Sequence, residues 1–143
     1  MPSFTTQVPN LQGTGPVLEV RLAVSEPLEE WLRERGQDIP PPVALTGMVD
    51  TGASGCVVQQ GLPTQLGLQP VGTTLINTPS STNVLCSVYA VRLVLAGGQV
   101  VVNGTVIEAP LQGQNIQCLV GRDILAHGVL IYIGYANQFT LSV

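Results

Sequence analysis

Apolar and polar positions begin to alternate at Val17. Leu18, Val20, Leu22 and Val24 fall on one face, and Glu19, Arg21 and Ala23 fall on the other. A period of two is that of a strand with one side buried. The period then changes. Ser25 can cap a helix whose first turn holds Glu26, Glu29 and Glu30, with Arg33 and Arg35 in the last turn and Gly36 as a stop. Leu28, Trp31 and Leu32 supply its apolar stripe, so a short amphipathic helix is expected over 26–35, followed by a linker through Pro40-Pro41-Pro42.

Beyond the linker the apolar runs are short and β-branched. Val43 to Val49 predicts a strand ending at Asp50, Cys56 to Val58 a second, and Leu62 to Leu66 one helical turn closed by Gly67. Thr73 to Asn77 and Val84 to Leu95 predict two strands around the polar turn Thr78-Pro79-Ser80-Ser81-Thr82. Gly97-Gly98 turns the chain into Val100 to Ala109, although Asn103-Gly104 is a competing turn. A loop is expected over 112–115. Ile116 to Val120 leads to Gly121, Asp123 to His127 is a helical stretch capped by Gly128, and Val129 to Ile133 forms a closing hairpin with Gln138 to Val143. Residues 1–16 are polar and rich in Gly and Pro, which predicts an extended N-terminal arm whose order depends on something outside it. Many short strands and little helix imply a mostly β fold over 1–143, a closed β-barrel or folded sheet in a single domain.

Composition narrows the functional classes. With 45% apolar and 10% charged residues in 143, a globular domain is favoured over disorder. All five cationic side chains are Arg, and nine acids leave a net charge of −4, so there is no basic stripe for nucleic acid. Cys56, Cys86 and Cys118 are odd in number and set among apolar residues, which fits core thiols in a reducing compartment. One His and no Cys-x-x-Cys spacing argue against a metal, and no cofactor is expected. The first residues lack the basic and apolar regions of a signal peptide, and Arg92 interrupts a long apolar stretch, so a cytoplasmic protein without a membrane partner is expected. The sequon Asn103-Gly104-Thr105 then reads as chance.

Chemistry concentrates in two stretches. In the first, an apolar run delivers Asp50 to the small residues Thr51, Gly52, Ala53, Ser54 and Gly55, which place backbone amides around a lone acid. Asp-Thr-Gly alone is also ordinary turn chemistry. The second stretch, Leu119-Val120-Gly121-Arg122-Asp123-Ile124-Leu125, changes that balance. The two motifs in this order resemble those of the retropepsin-like aspartic proteases, of the bacterial type, and the likeness extends over about 17–143.

That resemblance implies an acid-protease barrel acting as a homodimer on peptide or unfolded-protein substrates. A water held between two Asp50 carboxylates, one from each copy, is its nucleophile, because two close acids share one proton and so divide the acid and base roles. It further implies that Thr51 bonds across the two-fold axis, that Gly52 holds the carboxylate through its amide, and that Thr78, Pro79, Ser80, Ser81 and Thr82 form a substrate-covering flap. Ala53 offers no hydroxyl to the acid, which predicts an optimum less acidic than that of the pepsin-like enzymes. Gly121, Arg122 and Asp123 carry the structural motif, with Asp123 turned away from the dyad. Where retroviral members place an acid for the Arg, this chain has Ser54, leaving Arg122 to backbone carbonyls or to Ser54 Oγ. Gln138 to Val143 is the expected interface strand, and His127 is expected to complement the helix dipole. The helix over 26–35 is an insertion relative to the retroviral members. The competing reading is a peptide-binding or dimerisation module that keeps the barrel without useful turnover.

Overall fold

The computed structural model describes residues 1–111 and 115–143, and its strands follow the alternating runs. They are β1 (Ser3–Gln7), β2 (Val17–Val24), β3 (Val43–Val49), β4 (Val57–Gln59), β5 (Gly72–Thr78), β6 (Ser81–Leu95), β7 (Val100–Ala109), β8 (Cys118–Val120), β9 (Val129–Ile133) and β10 (Gln138–Ser142). Among the described residues four α-helices join them: α1 (Leu11–Thr14), α2 (Glu26–Glu34), α3 (Leu62–Gln65) and α4 (Arg122–Leu125). The loop expected over 112–115 falls, for 112–114, outside the described residues.

The main sheet runs β2-β3-β8-β4-β7-β6-β5, and β2 also pairs with β6. Six strands therefore close on themselves, and β5 hangs outside the ring as the hairpin partner of β6. Inside the ring lie Val20, Leu22 and Val24 of β2 opposite Leu95, Leu93 and Val91 of β6, all nearly inaccessible to solvent. This is the buried face of the period-two pattern. The mostly β class expected from the sequence is the class observed.

Several local choices went one way for physical reasons. The turn at Ala96–Gly98 needs left-handed backbone at Gly97 (φ 67°) and Gly98 (φ 101°), which glycine adopts freely. Asn103-Gly104 is absorbed into β7, where both residues pair with Arg92 and Val91 of β6. Helix α2 starts at Ser25, whose Oγ accepts from Leu28 N–H, and Leu28 packs on the core. Glu29 ties the helix down by bonding Arg33 at 3.0 Å and Arg92 of β6 at 2.9 Å. Trp31, expected in the apolar stripe, is exposed and carries the Arg35 guanidinium 3.9 Å from its ring centre.

Two expectations need correction. The N-terminal arm does not await an outside partner, because β1 pairs along its length with β10 of the same chain. Phe4, Val8 and Leu11 are buried, and Phe4 meets Phe139 edge to face at 6.2 Å. Three apolar side chains in a polar stretch were enough to dock it. For the same reason Gln138–Ser142 cannot be an interface strand: β10 is the middle of a sheet β1-β10-β9, with both its edges paired. Among the described residues no helix is long and apolar enough to cross a membrane.

Candidate active site

Strand β3 is held between β2 and β8, so its end is well anchored. The Asp50 N–H continues the β3–β8 ladder by donating to the Val120 carbonyl at 2.9 Å. There the ladder stops and the loop begins. Ala53 N–H closes a turn on the Asp50 carbonyl (3.2 Å), and Gly52 N–H donates to Asp50 Oδ1 at 2.8 Å. Among the described residues Asp50 Oδ2 has no hydrogen-bond partner, so one oxygen is oriented and the other is open. Asp50 is half-buried, and Thr51, Gly52 and Ser54 are exposed.

The segment from Val120 to Asp123 grips this loop from below. Arg122 N–H donates to the Ala53 carbonyl (2.9 Å), and its guanidinium donates to the Thr51 carbonyl (2.7 Å). Of the acceptors left open by Ser54, the backbone carbonyl is the one used. Asp123, in the first turn of α4, accepts from Ile124 N–H and reaches across to Cys56, accepting from its N–H at 3.1 Å and from its thiol at 3.2 Å. Both carboxylate oxygens of Asp123 are thereby engaged at the far end of the loop.

Gly121 is required by space, not by backbone angle: its φ is −94°, but a Cβ there would collide with the Gly55 carbonyl. The two glycines let the strand end and the loop touch backbone to backbone. The Gly121 N–H also points at the Cys56 sulfur at 3.4 Å. Burial pushes the Cys56 thiol far above its ordinary value, against the Gly121 bond, and the Asp123 charge adds to the rise. Burial likewise pushes Cys118 up to about 12. Both are protonated fillers, not nucleophiles.

The sequence singled out Gly121, Arg122 and Asp123 without revealing their partners. The Cys56–Asp123 contact was missed, since 67 residues separate the two and no period links them. Thr78 to Thr82 form the tip of the β5–β6 hairpin, with Thr78 paired to Ser81 and Asn83 in left-handed backbone (φ 53°) held by Asn77 Oδ1. Among the described residues no hydrogen bond joins that tip to the Asp50 loop. The hairpin carries an exposed apolar pair, Leu75 opposite Leu85. Asp50 lines neither of two cavities of 540 and 680 Å³, which lie beside His127 and beside Thr46. A site made by one carboxylate at a loop apex is open until something faces it.

The sequence model of the aspartyl protease family matches residues 42–124, a stretch that includes both Asp50 and Gly121-Arg122-Asp123. No curated protein matches the chain. A retropepsin-like aspartic protease from Rickettsia conorii superposes with a TM-score of 0.50 at 13% identity, over 99% of this chain and 94% of that one. A foamy viral protease-reverse transcriptase matches 82% of this chain at 18% identity and a TM-score of 0.49, and this chain spans only 13% of its length. The retroviral protease-like domain of a Leishmania major protein matches 81% of this chain and 80% of that one, at 15% identity and a TM-score of 0.43. The Rickettsia likeness shows a shared fold.

Proposed function

The chain belongs to the aspartyl protease family, and from that premise we propose that it is an aspartic endopeptidase working as a homodimer on extended peptides or unfolded proteins. The observation that carries this reading is the state of Asp50, whose Oδ1 is held by Gly52 N–H while Oδ2 has no hydrogen-bond partner among the described residues. A single carboxylate cannot be acid and base at once. Of the other two aspartates, Asp38 lies exposed in the linker and Asp123 is committed to Cys56, so neither stands free to face Asp50. The missing group is Asp50 of the partner subunit, brought opposite by a two-fold axis.

In that arrangement the ionised carboxylate takes a proton from the water between the pair, and the water oxygen bonds to the peptide carbon. The protonated carboxylate gives its proton to the carbonyl oxygen. Collapse of the tetrahedral adduct breaks the C–N bond, and the amine leaves with a proton from the dyad. Thr78 to Thr82, at the tip of a hairpin, act as the flap that excludes bulk water. Thr51 and Ala53 support the loop, and Arg122 holds its carbonyl side.

Incubation with unfolded casein over about pH 3 to 7, with and without a statine-type inhibitor, tests the reading. Cleavage by the wild type, blocked by the inhibitor and lost in Asp50→Asn with an unchanged circular dichroism spectrum, is the expected result. Persistent cleavage by Asp50→Asn would eliminate the dyad. Peptide binding without any cleavage by the wild type would favour the binding module.

A further inference from the structure

The row of β7 side chains that faces the ring interior has a gap. Val100, Val102, Gly104 and Val106 share that face, because they pair with Leu95, Leu93, Val91 and Tyr89 of β6. Val100 and Val106 are buried, while Gly104 contributes no side chain to the row. A Cβ built on Gly104 meets nothing within 4 Å and its φ is not positive, so neither crowding nor backbone angle calls for glycine here. The 540 Å³ cavity beside His127 lies at this gap, with Val91, Leu93 and Ile124 among its apolar walls. That volume is within the range of about 300–1,000 Å³ in which ligands are held.

The cavity opens where the ring is least closed. β4 covers the second edge of β7 only at Ile107, Glu108 and Ala109. Among the described residues, 100–105 pair with β6 alone, so their other edge presents unpaired N–H and C=O groups along one side of the mouth. α4 stands on the other side, with His127 just beyond its end. An unpaired edge beside an apolar hole supplies both parts of a strand-addition site, since the edge can take a backbone and the hole a side chain. Charge narrows the occupant. Residues 93–107 carry none, and both Asp123 oxygens already accept from Cys56 and Ile124. A charged side chain entering here would lose water and gain no counter-charge.

We propose that this mouth binds an extended, uncharged segment of unfolded polypeptide, which adds as a strand to β7 over 101–105 and places one bulky apolar side chain in the space left by Gly104. The site goes beyond the catalytic reading and does not depend on it, since Asp50 lines no part of the cavity. A small apolar molecule would fill the hole and leave the edge unpaired, whereas a peptide backbone satisfies both. α4 joins the two places: Ile124 walls the cavity, and Arg122 at the start of the same helix grips the Thr51 carbonyl. A chain held at the mouth therefore rests on the element that holds the Asp50 loop.

Calorimetric titration of Asp50→Asn, chosen so that the probe is not consumed, tests this with capped threonine heptapeptides carrying leucine, glycine or lysine at the centre, and with hexanol. The leucine peptide should bind at least about tenfold more tightly than the other two peptides. Adding Gly104→Leu, which fills the hole, should weaken that binding by a similar factor. Amide exchange at 101–105 should slow when the leucine peptide binds, a readout that needs no change at position 104 if Gly104→Leu does not fold. Slowing confined to 50–54 and 78–82 would place the peptide in the catalytic cleft and overturn the proposal. Hexanol binding as tightly as the leucine peptide overturns strand addition, as does equal binding of the three peptides or no binding of any.

Discussion

A methyl group at position 121 has nowhere to go. An added Cβ would press on the Gly55 carbonyl and lie 3.0 Å from Gly55 Cα, and these are backbone atoms that cannot rotate away. Restoring ordinary carbon contacts of about 3.5 Å requires the loop and the start of α4 to part by about an ångström. Overpacking of this kind costs roughly 1–3 kcal/mol. The same displacement stretches the Arg122 N–H bond to Ala53 and the Cys56 N–H bond to Asp123 from 2.9 and 3.1 Å beyond bonding range, at about 1 kcal/mol each. Gly121→Ala should therefore lose about 3–5 kcal/mol in urea unfolding followed by circular dichroism. If Asp50 is the catalytic group proposed above, moving it by about an ångström should also lower kcat/KM on the order of a hundredfold. Gly104→Ala is the control, because nothing lies within 4 Å of its added Cβ and its φ is not positive. It should stay within about 0.5 kcal/mol of wild type. A Gly121→Ala protein as stable as Gly104→Ala, cleaving at the wild-type rate, would refute the close-approach account of the loop.

The remaining predictions concern the core and its thiols. Phe139→Ala should cost about 3–5 kcal/mol, since the ring is fully buried against Phe4 and pins both β1 and β10, and the measure is urea unfolding at fixed protein concentration. An unchanged midpoint would mean that the N-terminal strand is not part of the cooperative unit. Stability should fall in alkali: Cys56 and Cys118 keep their protons in the fold above 9.0, where the unfolded thiols ionise. Their contribution is complete below that value and is lost as the pH rises towards the folded value, about 12 for Cys118. Cys118→Ala, whatever its baseline, should flatten the slope of unfolding free energy against pH above 9, and an identical slope would contradict the assignment.

Much of the fold was legible because its signals are local. Alternation over Val17–Val24, the Ser25 cap with its following glutamates, and the Gly97-Gly98 turn act within a few residues of themselves, and each formed where its pattern lies. Reading failed where a few apolar residues acted over distance. Phe4, Val8 and Leu11 sit in a stretch whose composition is that of a loose arm, and only the presence of Phe139 and Leu141 beside them turns it into a strand. Assigning the interface to Gln138–Val143 followed from its suitable alternation, but the hydrogen bonds of the strand it forms, Gln138–Ser142, are already used on both sides.

At the site the same division holds. The amino-acid order alone determined that one acid would stand at the end of a buried strand among small residues, and that Gly121, Arg122 and Asp123 would open a short helix, since both depend on neighbours in the chain. Tertiary structure alone decided that Arg122 takes the Thr51 carbonyl, that Asp123 takes Cys56, and that Gly121 must lack a side chain because Gly55 lies against it. Those contacts join groups about 65–71 residues apart. Their partners are chosen by which backbone atoms the closed ring brings within hydrogen-bond reach, a distance that no local pattern encodes.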